Sequence, residues 1–312
     1  MIEKALLSAI ILTLCPLLGA GYMLWKFGLA LALGAILAYR GVGIGRWGWF
    51  LAAVGVSWFC SVDPWQSFTG LYGEHEGGVL SWLVAILVMN GLTGSEIPRT
   101  LVNCAVVAAV WSWLQWVGWE WSVPLGKLEP GRAHAALGGP VYLGNYLAVC
   151  APLAWGTWKL PIVLSGIFAS GSRGALLGAV AGVAALKIKD RRILAGLALA
   201  ALVALVALPG KGPSNKGRLL VWKAAGEGIL ERAFTGWGPD NFVYIAQGYR
   251  TSEWDAVYKG PTGQPFKVTQ GHAHNFFLEL LCTVGILGLC GFLRAFRWPK
   301  DRTRRAAVMA GA

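Results

Sequence analysis

From its N-terminus the chain alternates apolar runs with short polar or basic interruptions, and the runs set the elements it predicts. Ten of them read as helical spans, at roughly 5–20, 24–39, 46–60, 78–93, 100–119, 140–157, 158–171, 174–187, 193–208 and 274–293. The first, after MIEK, ends in small residues as a signal peptide does. Further spans follow at once, so it reads as a first transmembrane helix. At about 1.5 Å per residue, a run of about 14 residues covers only about 21 Å of a hydrocarbon core of about 30 Å. The run 158–171 therefore reads as a half-helix. Fusing 158–187 into one helix would bury Arg173 at mid-bilayer and place KIKDRR (187–192) outside. Gly171-Ser172 favours a break instead.

Composition fits this reading. Hydrophobic residues make up 56% of the 312 and charged residues 13%, with mean hydropathy +0.56. Soluble domains carry about 25% charged residues, so the chain reads as an all-α polytopic membrane bundle. Many of the 17 tryptophans flank apolar runs, as Trp25, Trp47, Trp119, Trp158 and Trp298 do, in the manner of interfacial belts. The six cysteines fall in or beside apolar runs and none forms C-x-x-C, which argues against zinc, structural disulfides and redox chemistry. With the N-terminus cytoplasmic, the inside segments hold 15 Lys/Arg against four acids (Glu3, Glu96, Asp190, Asp301), and the outside segments nearly balance. The net charge of +12 is thus an orientation signal that leaves both termini cytoplasmic, not a nucleic-acid footprint.

This topology gathers polar residues on the outer face. The loops 61–77 and 120–139, the break at Ser172–Arg173 and the 65-residue segment 209–273 bring Arg132, His134, Arg173, Arg218, His272 and His274 to one side. Within the long loop, 214–234 has helical spacing, with Leu219, Trp222, Ile229 and Ala233 near one face and Arg218 one turn before Trp222. A helix lying on the membrane surface follows. TGWGPDNF (235–242) marks a turn; Pro-Asp-Asn after G-x-G and the lack of a preceding strand exclude a dinucleotide fingerprint. Gly174, Gly178 and Gly182 form a four-residue packing ridge. Arg173, at the start of that span, combines a guanidinium with free helix N–H groups, a setting suited to phosphate.

The stretch Gly271–Gly288, GHAHNFFLELLCTVGILG, sets two imidazoles and an amide at the mouth of an apolar run, with Glu279 a turn deeper. Ionisable groups in such a place point to function. Four stretches then occur in order: RAHAALGGPVYLGNYLAVCAPLA (132–154), ASGSRGALLGA (169–179), GRLLVWKAA with FTGWGPDNF (217–242), and GHAHNFFLELLCTVGILGL (271–289). Together they resemble the O-antigen ligase and polymerase family, which includes bacterial O-linked oligosaccharyltransferases. The resemblance covers about half the chain, from about 130 to 292.

The resemblance implies a membrane glycosyltransferase of the bacterial inner membrane, acting at its outer face without nucleotide sugar, metal or cofactor. The donor would be a glycan on undecaprenyl diphosphate, and the acceptor a sugar or Ser/Thr hydroxyl. Carried over by motif, Arg173 and Arg218 grip the diphosphate and His274 acts on the acceptor hydroxyl. Arginine stays charged and matches phosphate bidentately, and imidazole accepts a proton near neutral pH. The catalytic pair is then His274 and Arg218, with Arg173, Arg132, His272 and Asn275 binding substrate. Asp63, Glu74 and Glu76 are loop acids of the solvated kind, and Glu279 is placed to pair with a neighbour such as a histidine. The chain divides into N-terminal helices (1–130), the ligase-like region (131–293) and a basic tail (294–312). Family members usually continue with further helices after the HN span, so a shortened, non-catalytic relative is one alternative. A multispan transporter is the other, although it should show internal repeats or paired broken helices.

Overall fold

The computed structural model describes residues 2–12, 21–71, 77–92, 96–119, 131–187, 213–257, 271–297 and 301–311, and among these every regular element is a helix. In chain order these are α1 (Ile2–Leu12), α2 (Gly21–Tyr39), α3 (Gly48–Phe59), α4 (Pro64–Thr69), α5 (Val79–Gly91), α6 (Glu96–Trp116) and α7 (Pro140–Leu153). They continue with α8 (Lys159–Ser170), α9 (Arg173–Lys187), α10 (Pro213–Glu231), α11 (Phe242–Gly248), α12 (Ser252–Val257), α13 (Phe276–Ala295) and α14 (Arg302–Gly311). A helix overlies each predicted run except 193–208, which lies outside the described residues. Of the described helices, α6 and α13 are long and apolar enough to cross a membrane.

The chain forms two compact units. One comprises 1–33, 92–208 and 298–312. Its core is built from small residues: Ala105, Ala108 and Ala109 of α6 meet Leu143, Leu147 and Ala148 of α7, Val163 and Ile167 of α8, and Ala175 and Ala179 of α9. Small residues let backbones approach closely: a Cβ on Gly166 would lie 2.6 Å from Ala109 Cβ. Tyr146 Oη donates to Leu101 O (2.7 Å) and Trp113 Nε1 to Ser165 Oγ (3.0 Å), so each polar tip has a partner inside the packing. The predicted break is present. Gly171, at φ 61°, ends α8 in the left-handed region, and α9 starts two residues later. The ridge on α9 is shifted from the glycine spacing. Ala175, Ala179 and Gly182 are buried, whereas Gly174 is exposed with open space around it. In the tail, α14 buries Ala306 and Ala307 and packs on α7 and α9.

The other unit comprises 34–91 and 209–297. Phe50 and Val54 of α3 pack with Ile86 of α5 and with Leu280 and Val284 of α13. Trp47 belongs to this core and not to an interfacial belt: it is 5% exposed and meets the rings of Phe50 and Phe292. A second cluster joins Val221, Ala224 and Ala225 of α10 to Phe242 and Ile245 of α11, Trp254 of α12, and Cys282. The buried face of α10 is thus Gly217, Val221, Ala224, Ala225 and Gly228, not the predicted Leu219 face, since Leu219 is 63% exposed. Glycine explains the choice: a Cβ on Gly228 would come within 2.7 Å of Ile245, so the small side of the helix makes the contact.

Helix α13 is broken in its middle. Gly285 has φ 72° and ψ −171°, conformations essentially confined to glycine. A break inside an apolar helix strands backbone groups, and here the segment 233–238 takes them up. Trp237 N and Gly238 N donate to the carbonyls of Cys282 and Thr283 (2.9 and 3.0 Å), while Ile286 N and Leu287 N donate to Ala233 O and Phe234 O (2.8 and 3.3 Å). Glycines make the approach possible, because a Cβ on Gly236 would lie 2.5 Å from the Thr283 backbone and one on Gly285 2.3 Å from Phe234 O. Gly285→Ala is expected to destabilise the protein by about 3 kcal/mol or more, combining backbone strain with a clash against main chain. Gly226→Ala, in the middle of α10 with nothing near its Cβ position, is expected to be neutral or stabilising by up to about 1 kcal/mol. Thermal unfolding of the purified variants in detergent checks both.

Candidate functional site

The site is built on the N-terminal end of α13 and the loop before it. Asn275 caps the helix: its Oδ1 accepts from Phe277 N and Leu278 N, both at 3.1 Å. Its carbonyl oxygen therefore serves the helix first. Ala273, fully buried, is held through both of its backbone groups. Its N–H donates to Glu279 Oε2, and its carbonyl accepts from Trp222 Nε1 at 3.0 Å. The flanking histidines are positioned by this double anchor. His272 Nδ1 faces Glu279 Oε1 at 3.7 Å, so the pairing of Glu279 with a histidine is present and charged when the imidazole is protonated. His274 is exposed and has φ 53°, a left-handed conformation unusual for a side-chain-bearing residue. Such strain persists only where the surroundings impose it.

Trp222 also ties α10 to this loop, and Arg218 lies exposed one turn before it on that helix. Cys282 Sγ contacts Ala225 O at 3.5 Å and Trp237 Nε1 donates to Gly228 O at 2.9 Å, so α10 is held along its length. Within this unit the fold therefore assembles Arg218, His272, His274, Asn275 and Glu279 on α10, the 271–275 loop and the start of α13.

The PDN segment, marked as a turn by its sequence, also carries a buried acid. Asp240 is 2% exposed and left-handed at φ 60°. Its Oδ2 accepts from Leu71 N, and its carbonyl accepts from Gln66 Nε2 at 2.8 Å. Burial pushes its carboxyl up to about 6; the Leu71 N–H and His272 pull it down, while Glu279 pushes it further up. The available signal was the single acid in TGWGPDNF. Asp63, by contrast, is a structural cap. It accepts from Gln66 N (2.9 Å) and Tyr244 Oη (2.8 Å), and the Gln66 N–H holds its carboxyl below the usual range. Glu74 and Glu76 lie outside the described residues.

In the other unit, Arg132 lies against the end of α8 and Arg173 opens α9 across the break. Arg132 Nε donates to Ser170 O at 3.1 Å, and its Cγ lies 3.3 Å from where a Cβ on Gly171 would be. Ala133 N donates to Ala169 O (3.0 Å), fastening the RAHA segment to the end of α8. Arg173 is exposed in the first turn of α9, where Ser172 Oγ accepts from Ala175 N at 3.4 Å. A guanidinium beside free helix N–H groups suits an anion. His134 Nδ1 lies 2.8 Å from Ala135 O, and Gln115 Oε1 accepts from the N–H groups of His134 and Ala135 (3.1 and 2.7 Å).

Among the described residues the architecture is all-helical, with two helices apolar and long enough to cross a membrane. Residues 160–293 match the family described as O-antigen ligase, from α8 through α13, and over that stretch the chain is O-antigen ligase/polymerase-like. The match takes in Arg173, Arg218, Asp240 and the GHAHN loop, and Arg132 precedes it. No curated protein and no solved structure matches the chain.

The buried Asp240 makes stability depend on pH. Its folded-state value is raised, so the protonated carboxyl is the form the fold prefers. That contribution is complete below about 4, declines as pH rises, and is gone above about 6. Relative to Asp240→Asn, the wild type is expected to lose about 3 kcal/mol across that interval and to run parallel above it. Unfolding of both proteins in detergent between pH 3.5 and 7.5 measures the difference.

Proposed function

We propose that this chain is a polytopic membrane glycosyltransferase of about ten transmembrane helices. It transfers a glycan from an undecaprenyl-diphosphate donor to an acceptor hydroxyl at the outer face of the bacterial inner membrane, with both termini cytoplasmic. The reading rests on the O-antigen ligase match across residues 160–293, which includes both proposed diphosphate arginines and the GHAHN loop. In this reading His274 takes the proton of the acceptor hydroxyl, the hydroxyl oxygen bonds to the anomeric carbon, and the bond from that carbon to the diphosphate oxygen breaks. The lipid diphosphate leaves with the electron pair. Arg173 and Arg218 stabilise the charge gathered on it, as fixed cations do without reorganising. Exposure of His274, Arg173 and Arg218 suits groups that meet a large lipid-linked substrate. Arg132, His272 and Asn275 support binding and placement. The chemistry needs no metal, because the arginines supply the positive charge and the diphosphate is already a good leaving group.

His274→Ala is expected to lower transfer by about 10²- to 10⁴-fold, the usual contribution of a general base. Arg218→Ala and Arg173→Ala are each expected to cost about 10²- to 10³-fold, as loss of a charge-stabilising donor does. Purified protein incubated with lipid-linked glycan and candidate sugar or Ser/Thr acceptors reports the transfer. Undiminished transfer by a folded triple variant would overturn the mechanism.

A further inference from the structure

Two acids are carried to the N-terminal end of α13, and the mechanism above uses neither. Glu279 comes from α13, 3.7 Å from His272 Nδ1. Asp240 comes from the turn that plugs the broken helix. Trp237 and Gly238, just before it, are hydrogen-bonded to the carbonyls of Cys282 and Thr283, and Thr283 sits one turn below Glu279, donating its hydroxyl to Glu279 O at 2.7 Å. Asp240 is therefore carried to the same end of α13 as Glu279, where His272 favours its ionised form and Glu279 opposes it. The environment is tight. A Cβ on Gly77 would lie 2.8 Å from Asp240 Oδ1, and Leu71 N already donates to Oδ2. A turn at φ 60° needs no acid, since glycine takes that conformation at less cost and asparagine about as readily as aspartate.

We infer that Asp240 is a positioning residue of the site: with Glu279 it clamps His272 as an imidazolium, and the clamp fixes the backbone from which His274 projects. Two acids crowded together in a partly dry pocket repel, and a cation between them relieves the repulsion. His272 supplies it. Glu279 serves twice, through Oε1 toward His272 and through Oε2 to Ala273 N, so the charge state of the clamp and the loop geometry are one arrangement. Other charged or titratable groups on the elements packed here include Arg218, Lys223 and Glu227 on α10, Cys282 on α13, and Asp63 and Tyr244, which hydrogen-bond to each other. The inference rests on the transferase reading only for the task given to His274.

The test is a histidine titration of the full chain in detergent, labelled with ¹⁵N and ¹³C at histidine. There are only four histidines, and His272→Gln assigns the relevant signal. Wild-type His272 is expected to titrate above about 6.5, the ordinary imidazole value. Asp240→Asn and Glu279→Gln are each expected to lower it by about one unit, with His134 unmoved. A wild-type His272 at or below the ordinary value overturns the clamp, even where a variant fails to fold. So does a folded Asp240→Asn in which His272 does not move. Absence of glycan transfer by the wild type would overturn the transferase reading while leaving the His272 titration to decide the clamp.

Discussion

The break in α13 at Gly285 and the chain segment that fills it are the constraint on which the 34–91 and 209–297 unit depends. An apolar helix interrupted at its centre leaves carbonyls and N–H groups with no water to satisfy them. The segment 233–238 supplies two donors and two acceptors to these groups. Gly236 and Gly285 allow main chain to lie on main chain where any Cβ would collide. Everything polar above the break follows from that seam. It sets where Asp240 falls, it draws α10 against α13 through Trp237 and Gly228, and it fixes the helix end from which Asn275 and Glu279 arrange the histidine loop.

The three motifs that carry polar chemistry share a backbone feature. The non-glycine residues with positive φ among the described residues are Ala135, Asp240 and His274. One lies in RAHAAL, one in GWGPDNF and one in GHAHN. Left-handed backbone costs about 1–2 kcal/mol at a residue with a side chain, and sites of function are where such costs persist. Each is held by a specific hydrogen bond. Gln115 grips Ala135, Leu71 grips the Asp240 side chain, and the anchoring of Ala273 fixes the residue before His274.

Much of the helix map was legible in sequence because long apolar runs bounded by charge leave little choice of element. The α8–α9 break was legible too, through Gly171-Ser172 and an arginine that could not sit at mid-bilayer. The faces were not. On α10 the large apolar residues pointed to Leu219, yet the contact uses Gly217, Ala224 and Gly228, because close approach rewards small side chains over large ones. The same preference moved the α9 contact from Gly174 to Ala175 and Ala179. Asn275 and His272 stand out in the sequence as candidates through the GHAHN motif. Asp240 does not, since its importance arises from burial and from partners at Leu71 and Gln66, about 170 positions away in the chain.

The Ala273 anchor shows how this fold can position His274, the proposed base, without burying it. A histidine that must meet a bulky acceptor has to be exposed, and an exposed side chain on a loop loses definition to rotamer and backbone entropy. Here the burden is moved to the neighbouring residue. Ala273 is sealed from solvent and bonded on both sides, to Trp222 from α10 and to Glu279 from α13, so the loop is fixed one residue before His274. Trp222 and Arg218 share a helix, so the same contact that steadies the imidazole also steadies the helix bearing the arginine. The proposed base and the proposed cation are thereby referred to one frame, as the proposed transfer would require.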